Sequence, residues 1–453
     1  MFLDEKTAET LAKDAARTTG YGVSFAGMAQ LSGGMRAARF RLANGLTLLI
    51  LPDAQAPIFA YQTWFNVGSR HEPKGKTGIA HLFEHLMFKG TKNHPLGEFD
   101  HEMEKRGAQT NAATWMDWTF YRQALASHGD NFETVIAYES DRMVNLALTQ
   151  EMVDSEREVV KNERRQRVDD SIHGSLDELM YQTAYIAHSY GHPTIGYMED
   201  LDKMNLKEFE AFYKAYYAPN NATIVIVGDL DPARMVTQVV KAYGALHAQP
   251  LPEPPKVVEP KQESVRRAQI YKPTDTERAS IVYHGPAQSH PDHAALQVAC
   301  EILCGGETGR LYSELVIEKE LCQEAHASIT PYKEPGLFQI DIGMKPGLAF
   351  AEAEAITLQH IATLGAEGPT AKEVEKTKNR IEAAYLRVLL DADGRAEQIG
   401  HFETTAGDAT FMSTVLERLR QVDEAAVKRA VTTYLNPNAR TVACALPEEQ
   451  RRA

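Results

Sequence analysis

Two stretches of this 453-residue chain repeat one another at a distance of 218 positions, and the repeat limits what the whole can fold into. Tyr216, Pro219, Asn220 and Thr223 lead into the apolar run IVIVG; Tyr434, Pro437, Asn438 and Thr441 lead into VACAL. A second pairing, displaced by 229, lays GGETGRLYSEL (305 to 315) on KTGIAHLFEHL (76 to 86). Self-similarity at a nearly constant displacement is the mark of a duplicated architecture. Between the copies lies PLPEPPKVVEP (250 to 260), with five prolines in eleven residues, followed by KQESVRR. Backbone so rich in proline is extended and resists helix and strand interior, as an interdomain linker does. The expected organisation is an N-terminal extension (1–36), a first domain (37–248), a linker (249–267) and a homologous second domain (268–453).

Each half mixes strand and helix signals. RLANGLTLLIL carries an Asn44-Gly45 hairpin signal and IFAYQTWFNVG reads as another strand. GIAHLFEHLMFKG, the region 96–106 and the charged run from about 150 to 167 read as helices. Without strict βαβ alternation, the pattern predicts α+β domains, each a mixed sheet with helices packed on it.

Composition excludes several partners. Lys and Arg number 48 against 62 Asp and Glu, and a net charge of −14 argues against binding nucleic acid or an anionic membrane through the overall field. No run approaches the ~18 apolar residues of a membrane span. The first twenty residues have no apolar core behind a basic head, so the cytoplasm is expected, or the periplasm if a leader precedes the chain. Cys300, Cys304, Cys322 and Cys444 lack C-x-x-C spacing and read as free thiols. His101, His188 and His192 are not taken as metal ligands.

The chemistry concentrates in HLFEHLMFKGT, residues 81 to 91. On a helix His81 and His85 aim their imidazoles at one point, and Glu84 falls on the same side. That is a zinc-ligand spacing, and a catalytic zinc keeps three protein ligands with a fourth position for water. Glu84 is better placed to act on that water than to complete the ligand set. A third ligand has to come from another element. In DSEREVVKNERRQRVDD, Glu156 and Glu163 are seven apart and look the same way on a helix, but spacing alone does not choose Glu163. In the second copy Arg310, Ser313 and Glu314 replace His81, Glu84 and His85, so only the first could hold a metal through this segment.

The reversed HExxH motif and its context VGSRHEPKGKTGIAHLFEHLMFKGT resemble the inverzincin peptidases related to pitrilysin, insulin-degrading enzyme and the mitochondrial processing peptidase. Further matches follow in order: FRLANGLTLLI, RGAQTNAATWMDWTFY, SEREVVKNE, HSYGHPTIGYMEDL and FYKAYYAPNNATIVIVGDLD. The second half matches more loosely. The resemblance implies one Zn2+ per chain held by His81, His85 and Glu163, with Glu84 as general base and Glu156 as a supporting partner. It implies that the backbone at Asn111 and Ala112 pairs with the substrate as an added strand. It further implies two homologous α+β domains forming half of a clam-shell chamber, and zinc-dependent hydrolysis of peptides or unfolded segments.

One departure stands out. Active members of that family carry an arginine and a tyrosine seven apart in the second half, where preorganised donors lower the barrier. The equivalent stretch here, ELVIEKELCQEAHA (314 to 327), has Val316 or Ile317 at the first position and Gln323 to Ala325 at the second. The expectation is therefore a zinc-carrying subunit of a heterodimer or larger assembly whose homologous partner supplies the Arg/Tyr pair. A self-sufficient homodimer and a non-catalytic structural subunit are the alternatives.

Overall fold

The structure, a computed structural model, describes residues 3–452. Contacts divide the chain into two compact units, one of residues 1–161, 194–255 and 386–414, the other of 162–193, 256–385 and 415–453. Each is built on its own sheet.

The first sheet has seven strands: β1 (Val23–Gln30), β2 (Arg36–Leu42), β3 (Thr47–Pro52), β4 (Ile58–Phe65), β5 (Gln109–Thr114), β6 (Thr119–Ala126) and β7 (Ala222–Gly228), in the order β1-β2-β3-β7-β4-β6-β5. Only β3 and β7 pair in parallel, with Thr47 opposite Thr223. The Asn44-Gly45 signal closes the β2–β3 hairpin, where the Asn44 amide also donates to the carbonyls of Tyr243 and Leu246. Every residue of the central β7 is buried, which is why ATIVIVG shows no polar alternation. β4 serves two faces. Phe59, Tyr61 and Phe65 enter the main apolar core with Phe83, Phe132 and Tyr243. Gln62 and Trp64 meet the helix Ala392–Thr405, where the Gln62 amide donates to Asp393 Oδ1 at 2.8 Å. A Cβ on Gly400 of that helix would lie 2.1 Å from Trp64 Nε1, so glycine lets the helix lie down on the sheet. Of the residues before β2, the helix Glu5–Thr19 buries Ala8, Ala12 and Ala15 and packs on the helix Pro232–Tyr243, while β1 extends the sheet.

The second sheet contains β8 (Arg266–Lys272), β9 (Arg278–His284), β10 (Cys322–Ile329), β11 (Leu337–Met344) and β12 (Arg440–Pro447), in the order β10-β11-β9-β12-β8. This is the order β5-β6-β4-β7-β3 over again, including the one parallel pair, β12 with β8. The repeat seen in sequence is thus a repeat of backbone. The helices Leu206–Tyr216 and Glu424–Tyr434 each end at the repeated tyrosine, a 3-10 turn opens on the repeated proline, and the strands start at Ala222 and Arg440. The chain is α+β, two mixed sheets with helices packed on each.

The proline-rich stretch has no helix or strand. Its Glu259 carboxylate accepts from the backbone N–H groups of Ile186, Ala187 and His188, each at 2.9 Å, which straps the end of the stretch to the second unit. Burial pushes this carboxyl up, but those three bonds hold it below its ordinary value. Cys300, Cys304 and Cys322 are buried in the second core, and all four cysteines are free. Among the described residues no helix is long and apolar enough to cross a membrane.

Candidate metal centre

The helix Ile79–Leu86 carries the histidine pair. It begins at Gly78, whose φ of 90° lies in the left-handed region, and a Cβ there would stand 2.6 Å from the Ile195 carbonyl oxygen. The buried Glu72 carboxyl accepts from the N–H groups of Gly78 and Ala80, both at 2.9 Å, which satisfies two donors at the start of the helix, while burial pushes this carboxyl well above its ordinary value. Ile79, Ala80, Leu82, Phe83 and Leu86 are buried, and the Phe83 ring packs 4.5 Å from that of Tyr217. Their burial fixes the rotation of the helix and turns His81 and His85, both only partly buried, to its other side.

Opposite runs the helix Gln150–Arg164, continued by a π-helical turn, Arg165–Asp169. Glu156 and Glu163 both lie on this one continuous helix. His81, His85 and Glu163 each offer a ligand atom, and these atoms lie within 4.8 Å of one another. Tetrahedral zinc with N and O ligands at ~2.0–2.1 Å spaces its donors by about 3.4 Å, so a small closure of side chains suffices. Two imidazoles and one carboxylate are a donor set zinc accepts, with a fourth position left open. Among the described residues no other group of three His, Cys, Asp or Glu side chains is so placed.

Glu156 stands beside His85. Its buried carboxylate lies 3.6 Å from His85 Nδ1 and 2.5 Å from Lys89 Nζ. Burial pushes the carboxyl up, but His85 and Lys89 outweigh it and hold the group below its ordinary value, ionised. A carboxylate at Nδ1 orients the imidazole and leaves Nε2 for a metal. Glu84 is buried on the same helix, and its Oε2 accepts a hydrogen bond from the hydroxyl of Thr114, the last residue of β5. Asn111 and Ala112 sit mid-strand in β5, opposite Arg122 and Tyr121 of β6. β5 is an edge strand, and among the described residues no strand pairs with its outer side.

Thr114, Lys89 and Glu72 escaped the sequence reading. Thr114 lies inside RGAQTNAATWMDWTFY, yet nothing local tells that its hydroxyl meets Glu84, thirty residues away in the chain. In the second copy the corresponding positions bond to other side chains instead. Arg310 grips Glu373 with two hydrogen bonds, at 2.7 and 2.9 Å, and Glu314 takes His360 Nε2 at 2.7 Å. Val316 and Ile317 fall in a π-helical turn, Tyr312–Glu318, and Gln323 to Ala325 in β10.

The profile of the insulinase family, peptidase family M16, matches residues 48–197, and that of the peptidase M16 inactive domain matches residues 203–381. The chain belongs to peptidase family M16. Among its M16 relatives is the zinc protease PqqE of Helicobacter pylori, 32% identical over 356 residues that cover 77% of this chain and 79% of the relative. A Schizosaccharomyces pombe protein named probable mitochondrial-processing peptidase subunit beta is 26% identical over 408 residues, covering 87% of this chain and 88% of its own. The crystal structure of a Helicobacter pylori protease superposes with a TM-score of 0.87 at 28% identity, over 91% of this chain and all (100%) of that one. The M16 assignment makes this a member of a peptidase family whose relatives are named zinc proteases.

Proposed function

We propose that the chain is the zinc-carrying subunit of an endopeptidase acting on peptides or unfolded segments. The observation that supports this best is the convergence of His81, His85 and Glu163, with Glu84 on the same helix and an open strand edge ending at Thr114. His81, His85 and Glu163 would hold the metal. Zinc, when bound, supplies Lewis-acid polarisation of a carbonyl and acidification of water.

The remaining work falls to the chain's own groups. Glu84 takes the proton of the attacking water and returns it to the leaving amine. The Thr114 hydroxyl orients that carboxylate, so the base is fixed before substrate arrives. The outer edge of β5 at Asn111 and Ala112 receives the substrate as an added strand, a mode that admits only extended backbone. Selection is then for unfolded segments.

The Arg/Tyr pair is absent from 314–327, so a homologous subunit is proposed to supply it. The name of the S. pombe relative, a subunit beta, is consistent with that division of labour.

Two measurements test the reading. Glu84→Gln is expected to retain one zinc per chain and to lose at least 100-fold in turnover, about 2.7 kcal/mol of barrier; full turnover would remove Glu84 from the mechanism. The purified chain is expected to cleave an unfolded peptide weakly alone and strongly with its homologous partner. Full activity alone would make it self-sufficient, and failure to take up zinc would leave a structural subunit.

A further inference from the structure

Trp115 follows Thr114 directly and is 45% exposed, whereas Trp64 on the same sheet is 1% exposed. Its backbone is clamped. Trp115 N–H donates to the Trp118 carbonyl at 2.9 Å, its own carbonyl accepts from Ser69 N–H at 3.0 Å, and the next carbonyl, of Met116, accepts from Arg70 N–H at 3.0 Å. A buried ion pair between Arg70 and Asp117, 3.3 Å apart, locks the same turn. A Cβ on Gly68 would stand 2.3 Å from the Trp115 carbonyl oxygen, so the loop and the turn are in close contact. The turn is thus rigid and packed everywhere except at one indole, on which no other ring stacks among the described residues.

Within β5, Asn111 and Ala113 alternate with Ala112 and Thr114, so Ala113 lies on the face opposite the Thr114–Glu84 contact, and Trp115 follows at the strand's end. A peptide lying along the outer edge of β5 presents every second side chain to this face. An exposed indole on a turn fixed by backbone hydrogen bonds is a surface that an apolar or aromatic side chain packs on, and such anchors dominate binding energy.

We infer that Trp115 is a specificity-determining residue, a shelf for a large apolar substrate side chain near the bond to be cut. The inference rests on the proposed peptide binding along β5, but not on turnover. The test is fluorescence-anisotropy titration of the zinc-loaded full-length Glu84→Gln protein with two labelled extended peptides, one bearing Phe and the other Ser at the same position. The Phe peptide is expected to bind about tenfold or more tightly. Adding Trp115→Ala is expected to erase that ratio and Trp115→Phe to keep most of it, with zinc content and thermal midpoint unchanged. An unchanged Phe/Ser ratio in Trp115→Ala overturns the inference, as does an effect confined to assembly with a partner subunit. Absence of binding by either peptide to any variant also overturns it. If wild-type turnover is present in that last case, the proposed function survives the loss; if turnover is absent too, that function falls with it.

Discussion

Lys89 and His85 hold the Glu156 carboxylate between them, and that shared contact ties the His85 ring to the helix Gln150–Arg164. Removing its charge leaves Lys89 with a poorer partner and the His85 ring less firmly aimed. Glu156→Gln is therefore expected to weaken zinc binding by about 10- to 100-fold, as loss of such supporting partners does, measured by competition with a chromophoric chelator. Unaltered affinity would mean that packing alone orients His85. Glu84 and Thr114 show the same economy: the proposed base is held by a hydroxyl from the strand that would receive the substrate, so binding geometry and proton transfer share one hydrogen bond.

Among elements, the helix Ile79–Leu86 is short, only eight residues, and could not persist alone. Its place comes from its ends and its buried side: Glu72 closes the N-terminus, Gly78 makes the entry turn, and Phe83 packs on Tyr217. Gly78→Ala would force a methyl to within 2.6 Å of a carbonyl oxygen at a φ of 90°. It is expected to cost about 1–3 kcal/mol or more, read as a lower thermal midpoint, and to reduce zinc uptake because the helix must shift. A variant with native midpoint and full zinc would show that the loop carries no strain. The edge position of β5 belongs to this scale too, because an unpaired strand edge is a property of the sheet and not of the six residues in it.

At the scale of the molecule, one architecture is used twice with different chemistry. Where the first copy gathers His81, His85 and Glu163, the second pairs Arg310 with Glu373 and Glu314 with His360. Hydrogen bonds from the Arg310 guanidinium, with help from Thr370 and against partial burial, hold the Glu373 carboxyl down at about 2. Because the folded value lies below the ordinary 4.5, this stability is present above about pH 4.5 and is lost as pH falls toward 2. Arg310→Gln is expected to be less stable than wild type by about 1–3 kcal/mol at pH 7, with the gap narrowing below pH 4.5 in denaturant titrations. A pH-independent gap would assign the loss to packing of the arginine stem.

The chain itself determined what depends on short range. The duplicated Tyr-Pro-Asn-Thr signature, the strands IVIVG and VACAL, the hairpin at Asn44-Gly45 and the helix carrying His81, Glu84 and His85 all follow from periodicity and turn chemistry, and the structure shows each of these elements. The helix expected over 150–167 gives way to a π-helical turn at Arg165, inside the uncertainty of helix ends. Only the tertiary structure brought Glu163 to the histidines, Thr114 to Glu84, and Lys89 to Glu156. It also carried segments 162–193 and 386–414 across what the sequence marks as one central linker. These are contacts between elements far apart in the chain, set by which apolar faces bury against one another, and no local pattern records them.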